Sequence, residues 1–161
     1  MTSTTPPTLS TDITVSATPE TVYALLTDLP VLAELAEETT AMRWVSGDSA
    51  RTGSVFKGDN ANGRHRWTTT CTVSEAAPGR AFSWSVASGP VRIARWRYAI
   101  DPIPDGCRVT ESMWDDRPWW LRRFGVLLTG TPDRQATNAE HMRLTLQRLK
   151  ARAEQPAPER R

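Results

Sequence analysis

Glu111 is the residue in this chain best suited to move a proton. It stands in the alternating segment 107–114, on the same face as Cys107, Val109 and Met113. A carboxyl group buried among apolar side chains keeps its proton to a higher pH than in water. General acid or base work near neutrality requires that. The alternative is a glutamate near a strand end that reaches solvent or pairs with an arginine. Tyr98 and Asn60 fall on the inward faces of other segments and are suited to orienting a ligand carbonyl or hydroxyl. Their plainer readings are a core ring with a satisfied hydroxyl and an amide that stabilises the following turn.

The remaining reactive residue types form weaker patterns. Arg134 and Asn138 are one turn apart on the last predicted helix, where they either face the interior and meet an acidic ligand group or face solvent. His65 and His141 are the only histidines, and no third ligand shares a motif with them. Surface or rim positions are their default, and no metal site is expected. Cys71 and Cys107 lack CxxC or Cys/His spacing and read as buried reduced thiols of a cytoplasmic protein. GxGxxG, P-loop, GxSxG and HExxH patterns do not occur. No cofactor is expected, and phosphoryl transfer, hydrolase and zinc-protease chemistry lack a motif.

These side chains must be positioned by the elements around them. A strand over 12–16 precedes a helix start at Thr18-Pro19-Glu20, with Thr18 as N-cap and Pro19 in the first turn. A break at Asp28-Leu29-Pro30 opens a second short helix to about Glu38. Strands follow over 41–45, 53–60, 64–75, 81–87, 91–100 and 107–114, with Asn62-Gly63, Pro78-Gly79, Gly89-Pro90 and Asp105-Gly106 among their turns. An aromatic helical piece over 119–128 comes next. The final helix runs from Asp133 to about Ala153, with Ala136, Ala139, Met142, Leu146 and Leu149 as its apolar stripe. The order predicts an α+β fold: a curved antiparallel sheet of about seven strands around a long C-terminal helix.

Alternation assigns Phe56, Gly58 and Asn60 inward. It does the same for Trp67, Thr69, Cys71 and Val73, for Phe82, Trp84 and Val86, and for Ala94, Trp96, Tyr98 and Ile100. Arg66 and its alternating neighbours fall on the solvent side. An inward set that mixes aromatics with Asn60, Thr69, Tyr98 and Glu111 suits a cavity better than a filled core, because an unpaired buried polar group costs ~1–3 kcal/mol. The expected ligand-binding residues are Phe56, Asn60, Trp67, Thr69, Cys71, Trp84, Trp96, Met113, Asn138 and Met142. Glu111 and Tyr98 are the catalytic candidates.

Composition narrows the classes further. The 161 residues suit one domain, read as 9–153 between disordered tails at 1–8 and 154–161. The net charge is +2 and the basic residues are scattered, so nucleic acid is not an expected partner. No run approaches the ~20 apolar residues of a membrane span. A monomer or weak homodimer is expected. Trp119-Trp120 reads as a lid over the cavity mouth, an anchor onto the sheet, or a surface that docks a partner or membrane.

The chain resembles the START/pollen-allergen helix-grip superfamily, SRPBCC, and within it the polyketide cyclase/dehydrase-like branch. The resemblance is carried by ITVSATPETVYALLTDLP, by Gly53-x-x-Phe56-x-Gly58-x-Asn60 and by Trp67-Thr68-Thr69-Thr70-Cys71-x-Val73-x-Glu75-x-x-Pro78-Gly79-Arg80-x-Phe82. Trp96-x-Tyr98, Arg108-Val109-Thr110-Glu111-Ser112 and Met142-Arg143-x-Thr145-Leu146-x-Arg148-Leu149-Lys150 complete it. It spans about residues 12–153. It implies an apolar pocket between sheet and helix but supplies no shared catalytic residue. Three functions follow as expectations. The first is binding of a small hydrophobic molecule (a polyketide-like aromatic, a lipid or an isoprenoid). The second is cyclase or dehydratase chemistry in the same pocket. The third is an interaction or stress protein that works through Trp119-Trp120 over a filled interior.

Overall fold

Capping chemistry sets the helix boundaries in the computed structural model, which describes residues 5–156. The Thr18 side chain accepts a hydrogen bond from the Thr21 amide at 3.1 Å, and Pro19 starts helix α1 (Pro19–Thr27). Asp28 ends α1 and also caps helix α2 (Leu29–Leu35), accepting from the Val31 amide at 3.2 Å. The second helix stops three residues before Glu38, the expected end. Glu37 and Glu38 therefore lie in the bend before the next strand.

Seven strands form one antiparallel sheet: β1 (Leu9–Val15), β2 (Thr39–Ser46), β3 (Val55–Asn62), β4 (His65–Ala77), β5 (Ala81–Ser88), β6 (Val91–Ile103) and β7 (Gly106–Asp115). Their order is β1-β7-β6-β5-β4-β3-β2. Strands β2 to β7 form a meander, and β1 closes onto β7. Register shifts at Val73/Glu75 and Val86/Ala87 lie beyond or between the inward residues assigned above and leave those assignments intact. One turn requires glycine outright. A Cβ on Gly106 would lie 2.0 Å from the Val15 carbonyl oxygen, where β7 begins against the end of β1.

The aromatic segment is two short helices, α3 (Trp119–Phe124) and α4 (Val126–Thr129), divided at Gly125. Helix α5 (Arg134–Ala153) then lies against β1, α1 and α2, its start capped by Asp133 on the Ala136 amide at 3.0 Å. Its inward face corrects the expected stripe. Ala136 and Ala139 are exposed, and Asn138, His141, Met142, Thr145, Leu146 and Leu149 face the sheet. The first two turns of α5 cover polar space, so the apolar period alone selected the wrong side there.

Val22, Leu26, Leu29, Val73, Phe82, Ile100, Cys107, Val109, Leu146 and Leu149 form the packed core. Thr5, Thr8 and Glu154, expected within the tails, make specific contacts. The Thr8 amide donates to the Met113 carbonyl at 2.8 Å, and Glu154 accepts from the Ser16 amide at 2.8 Å. Residues 1–4 and 157–161 lie outside the described residues.

Candidate functional site

Beyond the packed core, sheet and helix separate around a cavity of about 480 Å³. That volume suits a small organic molecule. Asn60, Trp67, Thr69, Cys71, Trp84, Trp96, Tyr98, Glu111, Met113, Asn138 and Met142 all line it. Phe56 does not. It is fully buried behind the wall, edge-on to Trp44 and Trp84 with ring centroids 5.5 and 5.8 Å away. Its inward direction was correct, but the rings around it leave no space there. Arg66, expected on the solvent side, is exposed yet also borders the cavity.

Glu111 and Tyr98 are direct cross-strand partners on β7 and β6. The Tyr98 hydroxyl donates to Glu111 Oε1 at 2.9 Å, and both residues are 3% exposed. Burial pushes the Glu111 carboxyl up to about 8, against a smaller lowering by the Tyr98 hydrogen bond. Burial and the neighbouring Glu111 raise Tyr98 well above its ordinary range. At neutral pH both groups therefore carry their protons. Glu111 neither reaches solvent nor pairs with an arginine.

Asn60 is less available than the sequence suggested. Its amide nitrogen donates to the Gly58 carbonyl at 3.2 Å and lies 3.4 Å from the Thr69 hydroxyl, and its oxygen accepts from Thr39 at 3.0 Å. It ties β2, β3 and β4 together within the wall. Burial pushes the Cys71 thiol up to about 12, so it is an apolar wall group and no nucleophile. Both cysteines are free and buried.

Arg134 and Asn138 take the inward of their two expected positions, but the acidic group that Arg134 meets is the chain's own Glu38, which sequence reasoning missed. Glu38 Oε1 accepts from Arg134 Nη1 at 2.5 Å and lies 3.3 Å from His141 Nδ1. Arg134 also donates to Thr131 Oγ1 at 3.0 Å and stands over the Trp67 ring, 5.9 Å from its centroid. Burial alone would raise the Glu38 carboxyl. Hydrogen bonds from His141 and Arg134, and their charges, hold it below the ordinary range. Glu38, Arg134 and His141 all line the cavity. One signal was available: Arg134, Asn138, His141 and Thr145 form a polar stripe at helical spacing. Nothing periodic marks Glu38 itself.

Arg117, Trp120 and Leu121 also line the cavity. Arg117 grips Asp115 through Nε at 2.9 Å and Nη2 at 2.7 Å. Burial works to raise Asp115, and the Arg117 hydrogen bonds with the Arg117 and Arg122 charges bring it below the usual carboxylate range. Leu121 is buried, whereas Trp119, Phe124 and Leu127 are 75%, 53% and 74% exposed. Among the described residues, no group of three or more His, Cys, Asp or Glu is placed to hold a metal ion, and no helix is long and apolar enough to cross a membrane.

A curved seven-stranded antiparallel sheet closed on one long C-terminal helix, with two short helices after β1, is the helix-grip fold of the SRPBCC superfamily. The chain belongs to the family described as polyketide cyclase/dehydrase and lipid transport, which matches residues 6–154. Among solved structures, protein CV1439 from Chromobacterium violaceum superposes with a TM-score of 0.70 at 17% identity, covering 94% of this chain and all of that one. The polyketide-cyclase-like protein Cgl2372 from Corynebacterium glutamicum is 27% identical, with a TM-score of 0.53 and 88% of each chain covered. The di-domain ARO/CYC StfQ of the steffimycin biosynthetic pathway gives a TM-score of 0.70 at 14% identity, over 91% of this chain and 50% of that one. No curated protein matches the chain.

Proposed function

We propose that this protein binds a small hydrophobic molecule, a polyketide-like aromatic, lipid or isoprenoid, in the cavity between sheet and C-terminal helix. The observation that carries the reading is a roomy cavity with aromatic and Met walls and a few buried polar groups. Trp67, Trp84, Trp96, Met113 and Met142 supply apolar contact, and Glu111 fixes orientation. The family description names both lipid transport and cyclase chemistry. The proposal places the protein in the cytoplasm as a monomer or weak homodimer, a setting that suits two free buried thiols. Native mass spectrometry of the protein from its own host is the test. A stoichiometric small molecule supports the reading. An empty protein that also takes up no apolar fluorescent probe overturns it.

A cyclase or dehydratase in the same cavity is the second reading, favoured by the Glu111–Tyr98 pair and by the likeness to StfQ. The pocket would hold a poly-carbonyl chain folded and gain rate from proximity. A protonated Glu111 would act as general acid, passing its proton to a carbonyl oxygen as an enol carbon of the same chain attacks that carbonyl, so that C=O becomes C–OH as the C–C bond forms and the enol proton leaves to water. In a dehydration it would protonate the departing hydroxyl while water takes the α proton. Of the two expected oxygen stabilisers, Asn60 is engaged within the wall and the Tyr98 hydroxyl already donates to Glu111, so that role falls to Glu111 itself. Glu111→Gln separates the readings: an enzyme loses turnover and keeps affinity, and a binder has no turnover to lose. The surface reading for Trp119-Trp120 expects a filled interior and has less support.

A further inference from the structure

Among the described residues, two buried side-chain oxygens lack a hydrogen-bond partner in the protein: Glu38 Oε2 and Glu111 Oε2. Both residues line the same cavity. They come from opposite sides of the sheet. Glu111 is on β7, one strand in from the β1 edge, and Glu38 leads into β2 at the other edge.

The two carboxyl groups differ in protonation. Glu38 is held on Oε1 by two nitrogen donors, the Arg134 guanidinium and the His141 ring. It is a carboxylate, and a carboxylate only accepts. Glu111 is met instead by a tyrosine hydroxyl, and its environment disfavours charge. As a neutral acid it accepts the Tyr98 hydrogen bond on Oε1, which places its own proton on Oε2, a donor. One cavity thus offers one unmatched acceptor and one unmatched donor. Leaving each unmade costs ~1–3 kcal/mol, more for the charged group, and a ligand that completes both recovers it.

Resting on the cavity-binding reading above, we infer that the ligand is a hydroxy-carbonyl compound with an apolar body: its hydroxyl donates to Glu38 Oε2, and its carbonyl oxygen accepts from Glu111 Oε2. A plain hydrocarbon, or an isoprenoid without oxygen at two places, leaves one or both groups unpaired. This narrows the class from any hydrophobic molecule to one carrying a donor and an acceptor together.

Calorimetry with two matched probe sets tests this on the intact chain. 6-Hydroxy-1-tetralone is the short probe and estrone the long one. Each is compared with its methyl ether, which lacks the donor, and with its deoxo analogue, which lacks the acceptor. For the better-fitting set, each deletion lowers affinity about tenfold or more. Glu38→Met closes the gap between hydroxyl and methyl ether and leaves the carbonyl gap open. Glu111→Leu closes the carbonyl gap, and Glu111→Gln, which keeps an N–H donor, restores it. Binding of all members of both sets within twofold of one another overturns this inference and leaves the cavity reading standing. Failure of every probe to bind overturns the cavity reading for aromatic ring systems of this size, and the inference with it. The ligand-side comparison uses the unaltered protein, so neither outcome depends on a variant folding.

Discussion

The two halves of the interior are built by the same elements and behave as opposites. On β7, Cys107 and Val109 are sealed in the core, while Glu111 and Met113 of the same face border the cavity. On β6, Ile100 packs and Tyr98 lines space. On α5, Leu146 and Leu149 lie in the core, and Asn138, His141 and Met142 roof the cavity. Direction relative to the sheet is thus a property of the strand. Whether the inward side chain meets another side chain or a space is set by how far the helix stands off. The polar residues mark where it does, because a filled core has no place for unpaired carboxyl oxygens.

The sharpest break between the halves should come from truncating a ring in each. Phe82 is fully buried 5.2 Å from the Trp84 centroid, and Phe82→Ala should cost about 3–5 kcal/mol in denaturant unfolding. Trp96 borders the cavity and is only partly buried. Trp96→Ala should cost less stability yet lower ligand affinity about tenfold by titration. Equal stability losses at the two sites would mean the interior has no hollow half.

Protonation distinguishes the halves next. Glu111 holds its proton in the folded protein up to about 8, against an ordinary 4.5 in the unfolded chain. Between those values the folded state binds one proton more than the unfolded one. The Glu111 contribution is therefore fully present below pH 4.5 and is lost as pH rises toward 8. The unfolding constant of the native chain, relative to that of Glu111→Gln, should rise about tenfold per pH unit across this window. Urea unfolding of both proteins at pH 5, 6, 7 and 8 reads it. Parallel pH profiles would mean that Glu111 is ionised and that the donor assigned to it does not exist. Glu38 and Asp115, whose carboxyls are held low, act in the opposite sense and cancel in the comparison.

Much of this architecture was legible in the chain. Thr18-Pro19, Asp28 and the strand turns predict the element order, and two-residue alternation places Trp67, Trp84, Tyr98 and Glu111 on the inner face. Alternation reports only direction, so Phe56 was given a cavity position that Trp44 and Trp84 fill. Glu38 sits in a bend, where no period assigns a face, and its partners come from a helix about one hundred residues later. A contact that distant is a product of closure around the helix and has no local signature.

The smallest effect tests the corrected face of α5. Ala136 and Ala139 continue the apolar period of Met142 and Leu146, and a helix read from that period alone would bury them. They are exposed, because the face that points inward at this end carries Arg134, Asn138 and His141. Ala139→Glu should then change stability by no more than about 0.5 kcal/mol, as surface substitutions do. Leu149→Ala, ten residues along the same helix, should cost about 2–5 kcal/mol because Leu149 is fully buried. A loss of several kcal/mol for Ala139→Glu in thermal or urea unfolding would mean that α5 is rotated at its start. Arg134 and His141 would then no longer reach Glu38, and the cavity would lose the charged acceptor that sets it apart from an ordinary apolar pocket.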